Sequence, residues 1–186
     1  MDGLEHLTYP LRTERLLLRP FEAGDLDAAR AIWSQPDTVR YLYFDAHDED
    51  AARARLGRKM TARPDDIAFA AVEAATGALV ADLNIVRTSR EHNQGEIGYI
   101  VAPAHAGRGY ATEAGRVLLR LAFEALRFHR VVGRLDARNA ASARVLEKLG
   151  MRREAHLIEN ERVKGEWTDE LVYALLRTEW AAATPA

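Results

Sequence analysis

The chain has 186 residues, enough for one α/β domain with a sizeable core, and its 48% hydrophobic content is ordinary for a globular protein. Lysine and arginine number 26 against 28 acidic residues, so a net charge of −2 gives no global pull toward nucleic acid or an anionic membrane. The absence of cysteine removes disulfides, thiolate catalysis and cysteine-held zinc; no apolar run approaches the roughly 20 residues of a membrane span. The start, MDGLEHLTYP, lacks a basic region followed by an apolar one, so a cytoplasmic protein without a signal peptide is expected.

In chain order, Thr13–Phe21 reads as a strand closed by Pro20, and Gly24–Trp33 as a helix with Leu26, Ala29 and Trp33 at helical spacing. A further helix is expected through Ala51, Leu56 and Met60, ending by Pro64. IAFAAVEAATGALVADLNIV reads as two strands joined by a turn at Thr76 and Gly77. Gly95–Ala102 is a strand stopped by Pro103. A long helix from about Ala111 to Phe128 puts Ala114, Val117, Leu118, Leu121, Ala125 and Phe128 on one face, with Glu113, Arg116, Arg120, Glu124 and Arg127 on the other. Then come a strand over Arg130–Ala137 and a short helix in NAASARVLEKLG, capped by Asn139 and ended by Gly150 in a left-handed turn. Strands near Arg152–Ile158 and Leu171–Leu176 complete the map. No linker interrupts it, so a single domain over residues 1–186, with its core at about 13–180, is expected.

Gly107 and Gly109 immediately before the most regular helix are the most informative local signal. Glycine permits positive φ and close backbone approach, and a helix start offers unpaired N–H groups and the positive end of a dipole. Together they make a socket for an anion, usually a phosphate. A P-loop is excluded, because the loop ends Gly109-Tyr110-Ala111 rather than in Gly-Lys-Ser/Thr. A dinucleotide-binding unit of an NAD(P)-dependent oxidoreductase is a rival: strand, Gly-x-Gly, helix, then a strand carrying Asp136. Yet Thr112 holds the third glycine position, and several residues separate strand from loop.

GEIGYIVAPAHAGRGYATEAGRVLLRLAF followed by LDARNAASARVLEKLGM resembles the GNAT family of acetyl-CoA-dependent N-acetyltransferases, most sharply over Gly95–Met151. RLLLRPF and GEWTDELVYALL are similar to the subgroup that acetylates ribosomal-protein N-terminal alanines. The resemblance implies a mixed α/β fold with a central, mostly antiparallel twisted sheet flanked by helices. It implies acetyl-CoA as co-substrate, no metal, and direct attack by a primary amine. The acceptor would be a protein N-terminus or a small amine such as a polyamine or aminoglycoside; a non-catalytic acyl-CoA-binding module is the alternative. Neither nucleic acid nor a membrane is implied as a partner, and a homodimer is compatible.

By the same resemblance, backbone N–H groups around Ala106, Gly107, Arg108, Gly109, Tyr110 and Ala111 hold the coenzyme A pyrophosphate, with Arg108 supplying charge. Ala106 departs from the family pattern, which has Arg or Gln there. Glu96 is the implied base, although an ordinary glutamate with pKa about 4.3 needs a raised value or a water relay to serve an amine. Alternation sets Glu96, Gly98 and Ile100 on one face without saying which. Glu113 is kept off the catalytic set, because acidic residues favour a first helical turn through the dipole. Val101 lies where the family uses a main-chain N–H for the oxyanion. Many relatives carry a Tyr acid where this chain has Leu146; Ser142 is the substitute donor to sulfur, and Asn139 combines a helix cap with a pantetheine contact. Trp33 and Tyr41, with Tyr43 nearby, are the expected walls of the acceptor groove. His105 and the acidic run Asp45–Asp50 read as exposed surface, and the six histidines lack metal-binding spacing.

Overall fold

A computed structural model describes residues 8–61, 63 and 65–183. Eight strands form one sheet: β1 (Leu11–Arg12), β2 (Leu16–Arg19), β3 (Asp66–Glu73), β4 (Leu79–Ser89), β5 (Gln94–Val101), β6 (Arg130–Asp136), β7 (Arg152–Val163) and β8 (Glu166–Leu176). They lie in the order β1-β2-β3-β4-β5-β6-β8-β7. Every neighbouring pair is antiparallel except β5 with β6. The helices are α1 (Leu26–Trp33), α2 (Pro36–Val39), α3 (Glu49–Met60), α4 (Tyr110–Arg120), α5 (Ala140–Lys148) and α6 (Arg177–Ala183). None is long and apolar enough to cross a membrane.

The sheet separates two apolar clusters because its strands alternate. In β5, Ile97 is buried with α4, in the cluster of Leu118, Phe123 and Phe128, and Tyr99 and Val101 pack against that side. Ile100 turns the other way, onto the cluster that Trp33 and Leu56 build from α1 and α3. Glu96 shares the parity of Ile100 and so stands on the α1 and α3 face. The sequence pattern fixed this grouping and left its side open.

The elements follow the sequence with four differences. The helix expected to reach Phe128 is α-helical only to Arg120; Leu121–Ala125 form a wider π turn, in which the Leu126 N–H donates to the Leu121 carbonyl five residues back at 2.9 Å. Phe123, absent from the expected apolar face, is thereby buried and Arg127 is left at φ 57°. The two late strands extend into a hairpin of 12 and 11 residues, whose tips are too polar to signal burial. The strand expected over Thr13–Phe21 is limited to β2, with β1 lying before it, and α2 and α6 carry too few apolar positions for a periodic pattern.

Candidate active site

The parallel pair β5 and β6 is joined only at Gln94–Arg130, Gly95–Val131 and Glu96–Val132. Beyond Glu96 the two strands diverge, and β6 continues its pairing with β8 alone. The Ala102 N–H donates to the Val80 carbonyl at 2.8 Å, on the β4 side. Alternation therefore turns the Val101 N–H into the gap between β5 and β6. An unpaired strand edge in the middle of a sheet is an opening for a ligand with hydrogen-bonding groups of its own.

The gap leads to the start of α4. Gly107 and Gly109 have φ of 75° and 84°, the left-handed region that a side chain would strain. Gly109 caps α4 with no side-chain hydrogen bond. Among the described residues, the N–H groups of Gly107, Arg108, Gly109, Tyr110, Ala111 and Thr112 donate to no protein acceptor; the first amide of the helix so engaged is Glu113, which donates to the Gly109 carbonyl at 3.0 Å. The Ala106 N–H is already spent on the Pro103 carbonyl at 3.2 Å, so Ala106 shapes the turn and has no amide to offer. Arg15 fixes the loop from outside: it donates to the Arg108 carbonyl at 2.9 Å and lies over the Tyr110 ring at 4.6 Å. A cleft of about 350 Å³ beside Gly109 and Thr112 is lined by Arg15, Arg116 and Lys148 together with Glu14 and Glu113, the last paired with Arg15. Bare amides and a helix start, with Arg116 and Lys148 beside them, suit a ligand bearing phosphate.

Glu113, in the same first turn, borders that cleft but is taken up by the β1–β2 segment. Its carboxylate accepts from the Thr13 hydroxyl at 2.5 Å, the Arg15 N–H at 2.9 Å and Arg15 Nε at 2.7 Å. Although burial raises its pKa, these partners outweigh that and hold it below the usual carboxylate range. It fastens α4 to the β1–β2 segment.

Across the gap, Asn139 caps α5, its Oδ1 accepting from the Ser142 N–H at 3.0 Å, while Gly150 closes the helix at φ 81°. The cap leaves the Asn139 amide Nδ2 available. Ser142 meets a partner that sequence patterns did not single out: Tyr99 from β5, whose hydroxyl lies 2.9 Å from Ser142 Oγ and donates to the Ser142 carbonyl at 3.1 Å. Burial raises the Tyr99 pKa to about 12, so the phenol stays protonated at neutral pH. Tyr99 is 43 residues from Ser142 in sequence, and its strand pattern reads only as core. Leu146 is buried in the core, its Cδ1 filling the space a side chain on Gly133 would occupy, and contributes no polar group.

Glu96 stands where the seam begins to open, its side chain 34% exposed, with Arg134 Nε 3.8 Å from Oε2. Burial is the largest influence and raises its pKa; Arg134 opposes this and the neighbouring Glu170 adds to it. Glu170 is buried, accepting from Arg134 Nη1 at 2.8 Å, Asn160 Nδ2 at 3.0 Å and the Tyr43 hydroxyl at 3.4 Å. Desolvation first, then the carboxylates Glu170, Glu161 and Glu96, push the Tyr43 pKa to about 12. Sequence reasoning missed Glu170 and Arg134 because they enter from β8 and β6, far from the glycine loop.

The expected acceptor walls divide. Trp33 is fully buried, its Nε1 donating to Asp82 Oδ2 at 3.0 Å and its ring tilted against Phe21. It therefore supports the α1 face from beneath and does not line a groove, as an aromatic at an inward helical position does. Tyr41 is half-buried beside the Arg138 guanidinium, 5.8 Å from its ring centre, near the end of β6. Of the three aromatics, Tyr43 comes nearest to the acidic group around Glu96.

Residues 15–152 match the family described as the acetyltransferase (GNAT) domain. The provisionally named ribosomal N-acetyltransferase YdaF of Bacillus subtilis (strain 168) is 32% identical over 179 residues, covering 95% of this chain and 94% of its own. A GNAT-family acetyltransferase from Bacillus anthracis superposes with a TM-score of 0.84 at 31% identity, over 91% of this chain and 99% of that one. The spermidine N-acetyltransferase of Vibrio cholerae, solved with CoA and spermine, gives a TM-score of 0.79 over 90% of this chain and 96% of that one. Its 21% identity makes this a likeness of fold.

Proposed function

The chain belongs to the GNAT acetyltransferases, and from that premise we propose that it transfers acetyl from acetyl-CoA to the α-amine of a polypeptide N-terminus. The observation that carries the proposal is the half-joined seam between β5 and β6, with its free edge leading to six unpartnered amides at the start of α4. Similarity to YdaF across nearly the whole chain supports the polypeptide acceptor. An α-amine, with pKa about 8, also asks less of a base than a lysine amine at about 10.4.

Acetyl-CoA supplies the acetyl group as a thioester. The N–H groups of Gly107, Arg108, Gly109, Tyr110 and Ala111 hold its pyrophosphate, with the charge of Arg108 close by and Ala106 shaping the turn. Asn139 Nδ2 donates to the pantetheine arm in the gap. The Val101 N–H steadies the charge that grows on the thioester oxygen as the C–N bond forms and the C–S bond breaks. Glu96 takes the proton lost by the amine, directly or through one water, and its raised pKa brings it nearer to that task. Ser142, held by Tyr99, gives a hydrogen bond to the departing sulfur, and the thiolate takes its proton from solvent as coenzyme A leaves. Most of the acceleration comes from holding amine and thioester together, as in any direct transfer between two bound reactants.

One observation favours a second acceptor: Glu96, Glu170 and Glu161 gather acid charge around Tyr43, which suits a polyamine. Thiol release from acetyl-CoA, measured with a set of N-terminal peptides and with spermidine, tests both. Turnover with peptides is the expected result. Turnover with spermidine alone would move the acceptor to the second class, and failure of acetyl-CoA to raise the melting temperature would remove the co-substrate itself.

A further inference from the structure

On the Glu96 face of the sheet, under α3, lies a pocket of about 240 Å³ that the acetyl-transfer machinery does not use. Its walls carry Arg55, Arg58, Lys59 and Arg63 against two carboxylates, Asp66 and Asp82. Asp82 is buried at 3% exposure and is already engaged by Lys59 Nζ at 2.6 Å, by Arg55 at 3.5 Å and by the Trp33 indole. Arg63 reaches Asp66 only at 3.7 Å, and Arg58 has no ion-pair partner among the described residues. The pocket thus holds an excess of positive charge in a recess.

Arg55 is built into this recess and does not wave over it. Its guanidinium is 4.1 Å from the Phe44 ring centre and 5.1 Å from that of Trp33, and its Nε is enclosed with no acceptor. Burial outweighs the attraction of Asp82 and lowers its pKa, the sign of a cation short of negative partners. That Nε is closed off from the pocket, so an entering oxyanion meets Arg55 through the 20% of its side chain left exposed, beside Arg58 and Arg63.

The strand register ties this pocket to the reaction centre. Asn84 and Ile100 line it, and Asn84 pairs with Gly98, two residues from Glu96 on the same face. The Asn84 side chain occupies the space above Gly98, where a Cβ would stand 2.3 Å from its Oδ1, so Asn84 is the wall between the pocket and Glu96. A diagonal cross-strand neighbour is about 7–8 Å away, so the floor of the pocket begins one short chain segment from Glu96. On the other side of Glu96 lie Glu170 and Tyr43. The face is therefore acid at the point of amine attack and basic a few bonds beyond it.

We propose that this basic pocket is an acceptor subsite for an oxyanion, a carboxylate or a phosphate, carried by the acceptor a few bonds from its reacting amine. The proposal rests on the amine-acceptor function above and narrows it: the substrate is amphoteric, and a polycation is rejected at Arg55 and Arg58. For a polypeptide N-terminus, the oxyanion is an acidic side chain just after the first residue; for a small molecule, it is the far end of an amino acid or an aminoalkyl phosphate.

Calorimetric titration of the CoA-saturated protein tests this without turnover. ω-Amino acids of graded length are compared with their primary amides, and a hexapeptide beginning Ala-Glu with one beginning Ala-Gln. At least one acid binds about 10-fold or more tighter than its amide, the scale of a charge-assisted hydrogen bond, and Arg58→Glu on the exposed side of α3 abolishes the ratio. A preference among the peptides assigns the oxyanion to a polypeptide, and one among the ω-amino acids to a small molecule. Equal affinity for every acid and amide, or a ratio that survives in folded Arg58→Glu, overturns the subsite. Thiol release without discrimination would leave acetyl transfer standing and remove the pocket's role. Discriminating binding with no thiol release from any amine would do the reverse.

Discussion

The two ends of the opening between β5 and β6 are built from different kinds of group. At the start of α4 the partners are peptide nitrogens, six in a row, whose positions are set by two glycines at positive φ. On the α3 face the partners are side chains: Glu96, Glu170, Arg134, and the cations around Arg55. Main-chain donors barely depend on residue identity, so one end can bind an unchanging ligand across many sequences. Side-chain charge varies freely, so the other end can change its acceptor without disturbing the first.

The largest effect that contrast predicts is at its side-chain end. Glu96→Gln lowers kcat/KM for the amine by about 100-fold or more, the usual range for loss of a general base, while acetyl-CoA still raises the melting temperature. Steady-state thiol release and thermal unfolding measure the two halves separately. If the variant keeps full activity, the side-chain end holds no base at this position. Next in size is Gly109→Val, at the main-chain end. A β-branched residue at φ 84° costs about 1–2 kcal/mol, enough to raise KM for acetyl-CoA about 10-fold while KM for the amine stays close to its original value. Equal changes in both KM values would mean that the two ends are not independent.

The smallest effect is a shift in pH. Because burial raises the Glu96 pKa, kcat/KM falls on acidification through a value above the ordinary glutamate range, where the base gains its proton and stops working. Arg134 holds that value down, so Arg134→Gln moves the acid limb to higher pH. Profiles of wild type and variant with the same amine, carried through the acid limb of each, check the direction. An unmoved or lowered limb would separate Glu96 from Arg134 and sharpen the search for another base.

The same contrast explains what could be read before the fold was known. Gly107, Gly109 and Asn139 declare their backbone roles through residue type, because left-handed turns and helix caps restrict composition. The positions of most strands and helices along the chain follow from apolar spacing within each segment, whereas the mostly antiparallel sheet is implied by the family resemblance. The α3 face is a different matter: Glu96, Glu170, Arg134 and Asn84 come from four strands, and, apart from Glu96, which the family resemblance picks out, each by itself reads as an ordinary polar residue on a strand. Only pairing brings them together. Trp33 misled because an aromatic near a groove and an aromatic in a core have the same helical spacing; its full burial decides between them. Tyr99 stayed hidden because Ser142, which it needs, lies on another element.

Three residue pairs are all that stitch β5 to β6, so the apolar cluster running from Leu83 and Ile97 to Val131, Leu135 and Leu171 is what holds five strands on one side of the seam to three on the other. A ligand threading the cleft at that seam would replace the ladder bonds the two strands do not make with each other.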